Sequence, residues 1–154
     1  MLGNAGRWLG WWRRRPRTSA AAAVWRFRVE RDRSAIGKLN DSIAQQLRAS
    51  VPESALRAVQ VAVDELLTNV LMHAEQAAGP IEVEISRVRE AVDTTIVYVA
   101  AEFDPTTWQP PVAGMTVATA RIGGHGIELV RSLMDEFRYV HEAGRNVLTL
   151  RKRL

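Results

Sequence analysis

The sequence predicts an α/β fold, a two-layer sandwich in which a mixed, mostly antiparallel sheet carries three helices on one face. Two observations point there. Apolar residues recur at helical spacing in some stretches and with period two in others. These stretches follow one another as strand, helix, helix, hairpin, long loop, helix, hairpin. Hairpins pair antiparallel, and the helices between them can cover one face of the sheet.

Each element has its own signal. Trp25 to Val29 alternates apolar with arginine, which suits a half-buried strand. Asp32 or Ser34 can cap the helix that follows, whose apolar face is Ile36, Leu39, Ile43 and Leu47. Pro52 is placed to open a second helix. Its stripe is Leu56, Val59, Val63, Leu66, Leu67 and Val70, and it is expected to run to about Ala77, where Gly79-Pro80 stops it. Ile81 to Ile85 alternates with Glu82 and Glu84 outward. Thr94 to Ala101 is apolar nearly throughout, as a central strand would be. Residues 102–124 carry Pro105, Pro110 and Pro111 and read as a long loop, a length that usually marks function, often a lid. Gly126 to Glu136 suits a third helix with Ile127, Val130, Leu133 and Met134 on one side. Phe137 to His141 is a strand, residues 143–146 a turn, and Val147 to Leu154 the last strand.

Composition narrows the function classes. At 154 residues the chain is long enough for one domain with its own core. It has no cysteine, which excludes a disulfide scaffold, a thiolate metal site and a cysteine nucleophile, and fits a cytoplasmic setting. No apolar run reaches the length of a membrane span. The net charge of +4 misleads, because residues 1–28 hold seven arginines and no acid. The remainder has 14 basic residues against 17 acidic ones, so the basic balance is poor evidence for direct nucleic-acid binding. Residues 1–23 form a separate leader in which Trp8, Trp11 and Trp12 stand beside Arg13, Arg14 and Arg15. The leader is expected to be an untied tail, or the product of an upstream start codon that the cell does not use. Membrane contact through its tryptophans is the minor alternative. The domain itself is expected over residues 24–154.

Two constellations could carry chemistry. Glu65, Asn69 and His73 stand at i, i+4 and i+8 on the second helix and so share a face. A carboxylate can take a proton from a hydroxyl, an amide oxygen is a hard ligand suited to magnesium, and an imidazole can meet a phosphate. The bland alternative is a solvated helix face. The second constellation is Gly123, Gly124, His125 and Gly126 at the junction of the long loop and the third helix. Glycines at a helix start let phosphate approach backbone N–H groups, although a hinge would also need them. A Glu/Asn helix before the loop and a glycine turn after it could enclose one nucleotide, with Trp108 of the loop as a cover.

At these residues the chain resembles the anti-sigma-factor serine/threonine kinases of bacterial partner-switching systems, within the GHKL superfamily of ATPases. The resemblance spans about residues 24–154. Glu65 and Asn69 with His73-Ala74 match the family's N box. The stretch from Gly123 to Leu154 matches its second glycine box and C-terminal hairpin. Phe103-Asp104-Pro105 matches the end of its first glycine box. The resemblance implies a histidine-kinase-like ATPase (Bergerat) fold that uses ATP and Mg2+. Glu65 would be the general base toward a serine or threonine of a STAS-domain anti-sigma-factor antagonist. Asn69 would hold the metal, and Gly123, Gly124 and Gly126 would line the phosphates. His73 and Asp104 would also border the nucleotide. A sigma factor would be the alternate partner, and a homodimer is compatible with the family. Where the family has aspartate and glycine in its first glycine box, this chain has Tyr98 and Ala100. That departure keeps open a second reading, a nucleotide-free module that sequesters a regulatory protein, with Asp104 a candidate to replace the missing carboxylate.

Overall fold

The computed structural model describes residues 23–107, 109 and 124–154. In chain order these form β1 (Ala23–Val29), α1 (Arg33–Leu47), α2 (Glu53–His73), β2 (Ala78–Val88), β3 (Ala91–Val99), α3 (Gly124–Leu133), β4 (Glu136–Glu142) and β5 (Arg145–Arg153). The expectations for the leader before Ala23, for Trp108 and for residues 110–123, Gly123 included, fall outside the described residues.

The strands lie in the order β1-β2-β3-β5-β4. All four pairings are antiparallel, so the sheet expected to be mixed contains no parallel pair among the described residues. β3 is central, as its apolar run implied. The register places Phe27, Val83, Ile96, Leu148 and Tyr139 in one row across the sheet. That row and its neighbours face the helices, because strand side chains alternate and only this set is apolar throughout. Ile81, Val83, Ile85, Ile96, Leu148 and Leu150 are buried against Ile36, Leu39, Ile43 and Leu47 of α1 and Leu56, Val59, Val63, Leu66, Leu67 and Val70 of α2. On the other face charges pair across strands: Arg26 Nε lies 2.8 Å from Glu84, and Arg151 grips Asp93 with two bonds of 2.7 and 2.8 Å.

The helix ends show which local signals prevailed. Asp32, not Ser34, is the cap of α1, and its Oδ1 accepts from Ala35 N at 2.8 Å and from the Ser34 hydroxyl at 2.6 Å. α2 stops at His73, four residues before the expected Ala77, because the chain must already turn toward the sheet. Ala74 is extended, Gln76 takes a positive φ of 53°, and the Glu75 carbonyl accepts from Ala101 N at 2.8 Å. Gly79-Pro80, expected as a stop, instead lies inside β2. Gly79 has φ 67°, and the register slips between Ala78 and Glu82, so the proline sits at an irregularity where no ladder donor is needed. α3 begins two residues before Gly126 and ends at Leu133, since Asp135 N already bonds the Arg151 carbonyl of the sheet at 2.9 Å.

Two carboxylates tie these ends to acid stability. Hydrogen bonds from Ser34 and Ala35 hold Asp32 below its usual range, and the backbone N–H of Arg153, at 2.7 Å, does the same for Asp135. A carboxyl with a depressed folded value stabilises the fold fully above its unfolded value of about 3.9 and loses that contribution as pH falls through the folded value. Urea midpoints should therefore drop below about pH 4. The double variant Asp32→Asn/Asp135→Asn should show a shallower acid limb, since asparagine still caps but does not titrate.

Candidate functional site

Glu65, Asn69 and His73 do lie along one side of α2, flanking the buried stripe of Leu66 and Val70. α3 packs against that side. A Cβ built on Gly126 would collide with the Glu65 carboxylate oxygen Oε2, and it would stand 3.3 Å from Glu65 Cδ and 3.7 Å from Asn69 Nδ2. The first turn of α3 therefore needs glycine at 126, because the Glu65 carboxylate occupies the space of a side chain there. The Asn69 Nδ2 atom is buried and has no hydrogen-bond partner among the described residues. A buried amide donor left unpaired costs about 1–3 kcal/mol, so this one is poised for an acceptor that a ligand would bring.

Beyond Asn69 a cleft of about 280 Å³ opens between α2, the end of β3 and α3. Asn69, His73, Tyr98, Phe103, Ile127 and Leu148 are among its walls. Its mostly apolar lining with a few polar groups is the usual character of a small-molecule site. His73 and His125 are both exposed. Glu65 does not border the cleft, but adjoins Asn69 one turn closer to the start of α2. Asp104 is not in the wall either. Its Oδ1 accepts from the Thr106 N–H at 2.8 Å and the Thr106 hydroxyl at 2.6 Å, so this oxygen caps its own turn.

The inner wall is held by residues that the sequence reading did not single out. Asn146, 0% exposed, makes four hydrogen bonds. Its Oδ1 accepts from the Tyr139 hydroxyl at 2.6 Å and from Phe103 N at 3.3 Å, and its Nδ2 donates to the carbonyls of Ala101 at 3.0 Å and Ala100 at 3.4 Å. From α3, Arg131 donates to the carbonyls of Pro105 at 3.1 Å and Thr106 at 2.6 Å. The segment after β3 is thus fastened from both sides. A signal for Asn146 was present: Leu148 and Leu150 face inward, so period two places 146 inward as well, although the residue was assigned to a turn.

The donor set fits phosphate and a hard cation. Asn69 supplies an amide and Glu65 a carboxylate beside it, which packs against Gly126. No group of three or more histidine, cysteine or carboxylate residues could hold a metal by itself among the described residues, so a cation here would need ligands from the nucleotide as well. At the inner end the cleft stays open with Tyr98 as its wall. Burial pushes the phenol well above its ordinary value and Tyr139 adds to this, while the positive charge of Arg31 offsets part of it. Tyr98 is therefore a neutral hydroxyl at the position where the family that the sequence resembles has a carboxylate.

A two-layer antiparallel sandwich with a cleft between a Glu/Asn helix and a glycine-started helix is the arrangement of a nucleotide-binding ATPase domain. The chain belongs to the family of the histidine kinase-like ATPase domain, whose model matches residues 29–152. It is 34% identical over 89 residues to the serine/threonine-protein kinase BtrW of Bordetella bronchiseptica, a match covering 56% of this chain and 63% of that protein. The chain thus spans less than two thirds of that relative's length. Its fold is similar to that in the crystal structure of the RsbU and RsbW domains of Rv1364c from Mycobacterium tuberculosis, with a TM-score of 0.63 and 16% identity over 86% of this chain and 32% of that one. No helix among the described residues is long and apolar enough to cross a membrane.

Proposed function

We propose that this protein is an ATP-dependent serine/threonine protein kinase that regulates transcription by partner switching. Its substrate would be a STAS-domain anti-sigma-factor antagonist, and its alternate partner a sigma factor that it holds away from transcription in the cytoplasm. The observation that carries the reading is the junction of Glu65, Asn69 and Gly126, where a carboxylate, an unpaired buried amide donor and a helix start meet at the edge of one cleft. The kinship with BtrW supports the kinase activity. The cleft would take ATP with its phosphates toward Asn69 and Gly126.

In the transfer step the substrate hydroxyl oxygen forms a bond to the γ-phosphorus, and the bond from that phosphorus to the β–γ bridging oxygen breaks. The hydroxyl proton passes to Glu65, and ADP leaves. Mg2+, held by Asn69 and the phosphates, would supply charge neutralisation. The remaining work of the chain is positioning, which is most of what phosphoryl transfer requires. Gly126 leaves room for the Glu65 carboxylate against the first turn of α3, and Asn69 Nδ2 would gain an acceptor from the phosphates.

Tyr98 and Ala100 favour the second reading, a binding module that has given up nucleotide. Calorimetric titration with ATP and Mg2+ separates the two. Micromolar binding by the wild type, weakened at least about tenfold by Asn69→Ala through loss of a bond to a charged group, is the expected result. Absence of wild-type binding would leave the module reading.

A further inference from the structure

We propose that Tyr98 makes the cleft tolerant of both common purines, so that GTP binds beside ATP with comparable affinity. The inference rests on the nucleotide reading above and concerns only the base end of the site. Tyr98 lines the cleft, is 3% exposed, and its hydroxyl takes part in none of the hydrogen bonds among the described residues. Arg31, whose charge acts on Tyr98, is held by the carbonyls of Gly79, Ala78 and Val99 and does not line the cleft, although its Nη1 has no partner among the described residues. The carbonyls of Ala100 and Ala101 accept from Asn146, whose own oxygen already accepts from Tyr139 and Phe103. The neighbouring wall is apolar, with Leu66, Val70, Ile127 and Leu148. Among the described residues that line the inner end of the cleft, the phenol is therefore the polar group left to read the base from within.

A phenol both donates and accepts, whereas a carboxylate only accepts. Adenine presents an amine, which needs an acceptor; at the same edge guanine presents a carbonyl, which needs a donor. A carboxylate would satisfy the first and repel the second. A hydroxyl turns its proton to suit either. Burial keeps the phenol neutral across the physiological range, so the donor is always present. The carboxylates that border the cleft, Glu75 and Glu102, are exposed, and Glu102 lies 3.6 Å from His141. Screened by water, they can accept from the exocyclic amine of adenine or from N1–H and the exocyclic amine of guanine without selecting strongly between them.

The test is parallel calorimetric titration of the full chain with ATP and with GTP, Mg2+ present, for the wild type, Tyr98→Asp and Tyr98→Phe. The wild-type affinities should agree within about tenfold, and Tyr98→Asp should widen the preference for ATP to about a hundredfold or more, since a buried unmatched polar edge is rejected strongly. Tyr98→Phe keeps the ring in place and should weaken both nucleotides by a similar factor. The proposal is overturned by a wild-type preference for ATP above about a hundredfold, by a Tyr98→Asp ratio equal to the wild-type ratio, or by Tyr98→Phe affinities that do not change. If neither nucleotide binds the wild type, the nucleotide reading itself falls and takes this inference with it; a failed ratio removes the inference alone.

Discussion

Glu65→Gln is expected to lower phosphoryl transfer by about 10²- to 10⁴-fold, the range that a positioned general base contributes. ATP affinity should stay within about threefold of the wild type, because a general base in the proposed role would act on the substrate hydroxyl and not on the bound nucleotide. Glutamine has the shape of glutamate and fits against Gly126 as the carboxylate does, so the loss cannot be assigned to misfolding. Initial rates with γ-labelled ATP and the phosphorylatable partner would fall in kcat and kcat/KM alike. The same carboxylate can be reached from the opposite helix. Gly126→Ala places a methyl group where Glu65 Oε2 now lies, and the carboxylate must swing or α3 must retreat. Transfer should drop with Glu65 itself intact. Unchanged transfer by Glu65→Gln would show that the proton leaves by another route, and the residue would then be a packing partner of α3.

Much of this arrangement was legible in the sequence, for reasons that particular residues make plain. Helical spacing from Leu56 to Val70 and alternation from Ile81 to Ile85 are direct consequences of which face is buried, so element types and order came through. The i, i+4 spacing of Glu65 and Asn69 fixed their shared face without any tertiary information. What did not come through depends on contacts between distant segments. The early end of α2 is set by Glu75 meeting Ala101, and the proline inside β2 is tolerated by a register slip that no local rule announces. The turn in which Asp104 Oδ1 accepts from Thr106 did not come through either. Asn146 was the largest omission. A polar residue in a turn-like run is ordinarily solvated, which outweighed the period-two signal from Leu148 and Leu150; the pairing of β5 with both β3 and β4 is what carries the strand through Asn146.

That pairing makes Asn146→Ala the substitution with the largest expected effect on stability. Alanine leaves two carbonyls, one backbone N–H and the Tyr139 hydroxyl, all partly or fully buried, without their partner. Each such group costs about 1–3 kcal/mol if nothing replaces the bond. The Tyr139 hydroxyl can turn toward solvent, since the residue is less buried than Asn146, so the sum will not be fully realised. A net loss of about 3–5 kcal/mol is expected, which lowers the melting temperature of a chain this size by about 10 °C. Tyr139→Phe removes one partner and should cost about 1 kcal/mol. The contrast separates the network from the strand pairing, because both variants keep β4 and β5 paired through their backbones. Asn146→Ala should also weaken nucleotide more than Tyr139→Phe does. The Ala100–Phe103 segment borders the cleft, and the amide side chain, not the phenol, is what ties that segment to β5. A denaturation midpoint for Asn146→Ala that matches the one for Tyr139→Phe would mean that water takes up the three backbone groups, and the wall of the cleft would then owe its position to Arg131 and the strand register instead.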